Sequence, residues 1–300
     1  MNADVTAIFA ALGPVSAGPD PTIEERRAWM ERLGERFPPA ADVVFEDTTV
    51  AGVPCESVHP PGVVSQEQGL MLYLHGGGYG TSSARTHRDL VSRLARAAAV
   101  PALAVNYRLA PEYPFPAALE DAVAVYRGLI EAGQPPGGIV IAGDSAGGGL
   151  VLSTLLALRD AGVPLPAAGA CISPWTDLTL SGASLLANAG RDPLINARNA
   201  AGSAARYAGG QPLAHPLISP LFGAFEGLPP LLLQVGTHEC FLDDTLRLAE
   251  RASAAGVDVT VERFEGMTHI WPYFAAVLPQ GQQAIDRMGA FMAGRLAAAG

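Results

Sequence analysis

Alternating strand and helix patterns predict an α/β protein with a mostly parallel central sheet covered by helices on both faces. Apolar runs at 70–74, 102–107, 138–143, 168–173 and 231–235 lack polar alternation, as strands buried on both faces require. Helical patterns separate those runs, the order expected of parallel strands joined by crossovers. Two of the runs end in glycine-rich turns, His75-Gly76-Gly77-Gly78 and Gly143-Asp144-Ser145-Ala146-Gly147. Functional loops of such sheets lie at the carboxyl ends of the strands.

Taken in order, Thr22-Ile23-Glu24-Glu25 has the form of a capping box, so an amphipathic helix is predicted over 24–37, stopped by Pro38-Pro39. From residue 42 the apolar period becomes two, and a strand pair over 43–50 and 53–59 flanks Ala51-Gly52. The strand at 70–74 leads to a helix near 84–99, and that at 102–107 to a helix over 116–132. The strand at 138–143 leads to a helix through 148–158, followed by the strand at 168–173. After 231–235 come a helix over 242–255, a strand over 257–264 and a C-terminal helix near 280–297. Residues 178–215 break the alternation with short helical pieces, and an insertion of this length between core strands reads as a lid. The predicted division is therefore 1–41 as the N-terminal part of a cap, 42–177 as the first part of the core, 178–215 as the cap insertion and 216–300 as the second part of the core.

The chain has 300 residues, 49% of them hydrophobic, enough for a sizeable core. A net charge of −10 argues against nucleic acid and anionic membrane surfaces as partners. Cys55, Cys171 and Cys240 are dispersed and odd in number, which argues against a disulfide scaffold or a zinc site and fits a reducing compartment. The N-terminus lacks the basic region of a signal peptide, and no apolar run reaches membrane length. These features predict a soluble cytoplasmic protein, and the serine chemistry read below needs no metal or organic cofactor.

The chemistry is written in the two glycine turns. In G-x-S-x-G, small residues on either side of Ser145 let a strand and a helix approach closely, and the serine hydroxyl stands at the helix N-terminus. The alternative for that pentapeptide alone is an ordinary turn around a serine. Acyl transfer develops an oxyanion, and preorganised N–H donors aimed at it supply the largest single contribution to catalysis. The expected donors are the backbone N–H groups of Gly77, Gly78 and Ala146. A serine nucleophile needs a base and the base an orienting carboxylate, in the chain order Ser, acid, His. Of the later histidines, His269 follows the last predicted strand on a loop and is the expected base. His215 precedes Pro216 and reads as structural, and His238 as a loop-shaping residue. Three carboxylates follow the strand at 231–235: Glu239, Asp243 and Asp244. Glu239 lies nearest the strand end, whereas Asp243 and Asp244 fall in a helical first turn, where acidic side chains commonly complement the helix dipole.

His75-Gly76-Gly77-Gly78-Tyr79, Tyr107-Arg108-Leu109-Ala110-Pro111-Glu112 with Phe115-Pro116-Ala117-Ala118, Gly143-Asp144-Ser145-Ala146-Gly147-Gly148 and Ser173-Pro174-Trp175 together resemble the hormone-sensitive-lipase family (bacterial type IV) of α/β-hydrolase carboxylesterases. The resemblance covers nearly all of the chain from residue 42, and the N-terminal helix and the 178–215 insertion resemble that family's split cap. It implies hydrolysis of short- to medium-chain carboxylic esters by Ser145, His269 and Glu239. At the acid the family commonly reads Asp-Pro-Leu-x-Asp-Glu, whereas this chain has Glu239-Cys240-Phe241-Leu242-Asp243-Asp244. Glutamate is competent but one methylene longer, so Asp243 stands as the alternative acid. Lactone hydrolysis by the same residues is the nearest other reaction. A non-catalytic small-molecule receptor is a third reading, and retention of both Ser145 and His269 weighs against it. The strand at 257–264 lies at a sheet edge, where some relatives form homodimers.

Overall fold

The computed structural model describes residues 7, 9–11, 13, 15, 21–63 and 69–299. Parts of the N-terminal segment 1–41, which the sequence assigns to the cap, lie outside the described residues. From Ile23 onward the chain forms α1 (Ile23–Gly34), β1 (Val44–Val50), β2 (Val53–His59), β3 (Leu70–Leu74), α2 (Arg88–Ala98), β4 (Ala102–Val105), α3 (Ala117–Glu131), β5 (Ile139–Asp144), α4 (Ala146–Asp160), β6 (Ala168–Ile172), α5 (Ser184–Ala187), α6 (Ala197–Ala208), β7 (Leu231–Gly236), α7 (Leu242–Ala254), β8 (Val259–Phe264) and α8 (Pro279–Ala299).

Among the described residues the strands form one eight-stranded sheet in the order β1-β2-β4-β3-β5-β6-β7-β8. β1–β2 and β2–β4 pair antiparallel, and every later neighbour is parallel. The mostly parallel α/β fold predicted from the alternation is therefore the fold observed. Strand pleating divides the core into two layers. Leu70, Leu72, Leu74, Ile139 and Ile141 face a layer with residues of α3, α4 and α7, while Met71, Tyr73, Val140 and Ala142 face one with residues of α1, α2 and α8. Each strand residue thus meets a helix whichever way it points, which is why these runs carry no polar alternation. Fully burying one such leucine stabilises the fold by about 1.5–3 kcal/mol.

Local chemistry sets the element ends. Thr22 accepts a bond from the Glu25 N–H, and the Glu25 carboxylate accepts one from the Thr22 N–H, the capping box read from the sequence. The expected helix over 84–99 opens as a short 3₁₀ turn at Arg85–His87 and becomes α-helical at Arg88. The three cysteines are buried and unpaired. Among the described residues no helix is long and apolar enough to cross a membrane.

Candidate active site

The parallel strands align their carboxyl ends, with Leu74 of β3 beside Gly143 of β5 and Asp144 of β5 beside Ile172 of β6. The residues of interest leave the sheet together at that edge. Ser145 sits between β5 and α4 with φ 52° and ψ −121°. That strained conformation costs about 1–3 kcal/mol and persists because the surroundings over-determine it. The Ser145 N–H donates to Ile172 O (2.8 Å), and its carbonyl accepts from the Trp175 N–H (2.9 Å). The neighbouring glycines are dictated by space. A Cβ at Gly143 would stand 2.6 Å from Leu74 O, and one at Gly147 would collide with the carbonyl oxygens of Leu74 and His75.

Three side chains from distant parts of the chain meet here. Ser145 Oγ lies 2.8 Å from His269 Nε2, and His269 Nδ1 lies 3.0 Å from Glu239 Oε2. Glu239 Oε1 accepts bonds from the Gly236 N–H and from Ser173 Oγ (3.0 Å). Ser173 Oγ also accepts the Ile270 N–H (3.1 Å), so one hydroxyl ties the carboxylate to the histidine loop. Ser145, Glu239 and His269 are all buried. Burial acts against a charged imidazole, yet the Glu239 carboxylate reverses that and raises His269 above its ordinary value. Burial pushes the Glu239 carboxyl upward, opposed by its bonds to His269 and Gly236.

The other two carboxylates point elsewhere. Asp243 accepts the Ser184 N–H (2.9 Å), and Asp244 accepts the Thr176 and Asp177 N–H groups (2.9 and 2.8 Å). Both stand in the first turn of α7, where their sequence position put them. His215 Nδ1 accepts the Leu217 N–H (3.1 Å), and the His238 backbone N–H donates to Met267 O (2.9 Å).

Gly77 and Gly78 follow β3 with φ of +113° and +60°, and Ala146 opens α4. The N–H of a first helical residue has no partner within its own helix, so that of Ala146 is a donor available beside Ser145. Sequence reasoning passed over the support behind this loop. The buried Asp144 Oδ1 accepts bonds from the Gly76 N–H (3.0 Å) and Tyr73 OH (2.7 Å), with His87 Nε2 3.4 Å away. Burial works against its charge, but His87 and Tyr73 hold Asp144 below the usual carboxylate range. Burial holds the neighbouring His75 down at about 3, so its imidazole stays neutral. Asp144 occupies the variable position of G-x-S-x-G, and Ser173 lies in Ser173-Pro174-Trp175; both motifs marked the neighbourhood without revealing these contacts. Tyr79, Trp175 and Tyr207 are buried, with the rings of Tyr79 and Tyr207 stacked at 3.7 Å.

The family described as the alpha/beta hydrolase fold matches residues 71–273. An acetyl-hydrolase of Streptomyces hygroscopicus is 47% identical over 274 residues, covering 90% of this chain and 89% of its own length. An esterase of Acinetobacter venetianus is 34% identical, covering 88% of this chain and 87% of its own. Among solved structures, an esterase from the bacterial hormone-sensitive lipase family superposes with a TM-score of 0.94 at 44% identity, covering 99% of both chains. The structure of EstE5 soaked by p-nitrophenyl butyrate gives 0.92 at 43% identity, covering 99% of this chain and 100% of that one. With the family match over residues 71–273 and these relatives matched over nearly the whole chain, the chain belongs to the hormone-sensitive-lipase family of α/β-hydrolase-fold proteins.

Proposed function

We propose that the protein is a serine carboxylesterase that hydrolyses short- to medium-chain carboxylic esters through an acyl-enzyme intermediate. The observation that carries this reading is the unbroken chain of contacts from Ser145 Oγ through His269 to Glu239, at 2.8 and 3.0 Å. Ser145 attacks the ester carbonyl while His269 Nε2 takes its proton, and Glu239 holds the imidazole with Nδ1 protonated. The negative charge that develops on the carbonyl oxygen is met by the N–H groups of Gly77, Gly78 and Ala146. His269 returns the proton to the departing alcohol. It then takes a proton from water, whose oxygen attacks the acyl carbonyl and frees Ser145 and the acid.

Asp144 supports the same reading from behind, since its carboxylate anchors the loop that presents Gly77 and Gly78. The names of the relatives, an acetyl-hydrolase and esterases, agree in substrate class. Residues 1–41 and 178–215 are read as a cap over this edge of the sheet, between core parts at 42–177 and 216–300. Contact of α6 with the glycine loop supports that reading, as Ser203 Oγ lies 3.2 Å from where a Cβ on Gly78 would stand.

The direct test is Ser145→Ala, assayed with p-nitrophenyl esters of acyl length C2 to C12 and with lactones. The variant is expected to lose all turnover above background, with wild-type activity concentrated on the shorter acyl chains. Retention of most activity by Ser145→Ala would place the nucleophile elsewhere, and a preference for lactones would change the substrate class.

A further inference from the structure

Glu239 stands on the turn between β7 and α7, where sheet and helix satisfy only part of the backbone. Four polar groups of that turn and one N–H of the first turn of α7 bond to a segment that precedes them by about fifty residues. Asn188 Nδ2 donates to Thr237 O (3.2 Å) and to Glu239 O (2.9 Å). Ser184 Oγ donates to Cys240 O (2.8 Å) and accepts the Asp243 N–H (3.0 Å). Asp192 Oδ2 accepts the Cys240 N–H (2.9 Å). Its other oxygen accepts the Leu194 and Ile195 N–H groups (3.0 and 3.2 Å), which fixes its own end of the segment. Ser184, Asn188 and Asp192 are spaced four residues apart, and all three are buried.

We propose that Asn188 and Asp192 are positioning residues for the reaction, and that residues 184–192 form a fixed clasp that sets the reach of the Glu239 carboxylate toward His269. The proposal rests on the reading of Glu239 as the acid that orients His269. Glutamate has one more rotatable bond than aspartate, so its carboxylate lies where its backbone and its acceptors together put it. Inside the site, Gly236 and Ser173 hold the carboxylate; outside it, Asn188 holds the carbonyl of the same residue, and Asp192 the N–H of the next. This stretch of the 178–215 insertion therefore buttresses the acid turn in addition to belonging to the cap.

Three carboxylates raise the His269 imidazole: Glu239 by direct contact, and Asp192 and Asp144 from farther away. Asn188→Ala leaves all three charges in place, so any movement of the acid limb of kcat/KM in that variant reports geometry. With the clasp loosened, the limb moves to lower pH, because His269 loses part of the contact that raises it. A displacement on the ångström scale costs about 10²-fold, so kcat is expected to fall about 10- to 100-fold. KM should change by less than about threefold, since substrate binding is untouched.

The experiment compares Asn188→Ala, Asp192→Ala, Asp192→Asn and Glu239→Gln in the full-length protein. It uses pH profiles on p-nitrophenyl acetate, circular dichroism, and the far-downfield proton NMR signal of the His269 Nδ1–H. Asp192→Asn keeps an oxygen for the Cys240 N–H and is expected to recover most of the kcat that Asp192→Ala loses. The downfield signal should weaken or shift in both alanine variants. Folded alanine variants with wild-type kcat and an unmoved limb would overturn the proposal. So would a loss that only tracks the folded fraction with the limb unmoved. If Glu239→Gln itself stays active, the reading of the acid falls; if it is disabled while the folded 188 and 192 variants are not, only the clasp falls.

Discussion

At the scale of single residues, the site turns on how Glu239 reaches an imidazole from a turn. The carboxylate spends one oxygen on Gly236 and Ser173 and the other on His269, so its length is taken up by a bond back to its own strand end. Removing an orienting carboxylate costs about 10⁴ in kcat, and Glu239→Gln is expected to show a loss of that order. Asp243→Asn, whose side chain serves Ser184, should keep its activity within about tenfold on the same steady-state assay. The pH dependence has a definite sign. Protonated His269 cannot accept the Ser145 proton, so kcat/KM falls as pH drops through the imidazole value. That inflection should lie above the ordinary value of about 6.5, and Glu239→Gln should move it to lower pH. The sequence ranked Glu239 ahead of Asp243 and Asp244 by its position nearest the strand end, and left Asp243 as the alternative. What it could not convey is that Asp144 and Ser173 bond to groups of the site, and Asn188 and Asp192 to the backbone of the acid turn, because these contacts join residues about fifty or more positions apart.

At the scale of elements, the elbow between β5 and α4 shows why pattern reading worked where it did. Gly143 and Gly147 are required because carbonyl oxygens of β3 and its exit occupy the space a side chain would need. Gly147→Ala is therefore expected to destabilise the protein by at least about 1–3 kcal/mol, visible as a lower urea midpoint. Strands β3, β5, β6 and β7 were legible because both their faces are apolar and their lengths short. Helix α2 was legible in its body and blurred at its start, where a 3₁₀ turn with no side-chain cap leaves no sequence mark. In the 178–215 insertion, the number and placing of α5 and α6 were not readable. Their side chains answer to the turns beneath them, and the helical period is interrupted.

At the scale of the whole molecule, two core layers on opposite faces of one sheet make the helices interdependent. Helix α8 packs on α2 and contributes Ile285, Met288 and Met292 to the layer behind β3 and β5. Met288→Ala is expected to cost about 2–5 kcal/mol, measured as a shift in the thermal or urea transition. Because Tyr73 and Asp144 lie on those two strands, that loss should reach the site only through unfolding; kcat per folded molecule should stay near wild type. The two-faced sheet was predictable from composition and order alone. How the insertion seats on it was not, since that depends on which backbone groups the sheet leaves unbonded at its carboxyl edge.

All three native thiols are buried, and burial pushes Cys55 and Cys240 up to about 12 and Cys171 higher still. Maleimide chemistry at neutral pH acts on thiolates, so the unaltered chain is a silent background for labelling. A fluorophore joined through Leu186→Cys, at a position 76% exposed on α5, would then be the sole dye on each molecule. Its anisotropy decay would show directly whether that helix tumbles with the body of the enzyme or swings apart from it.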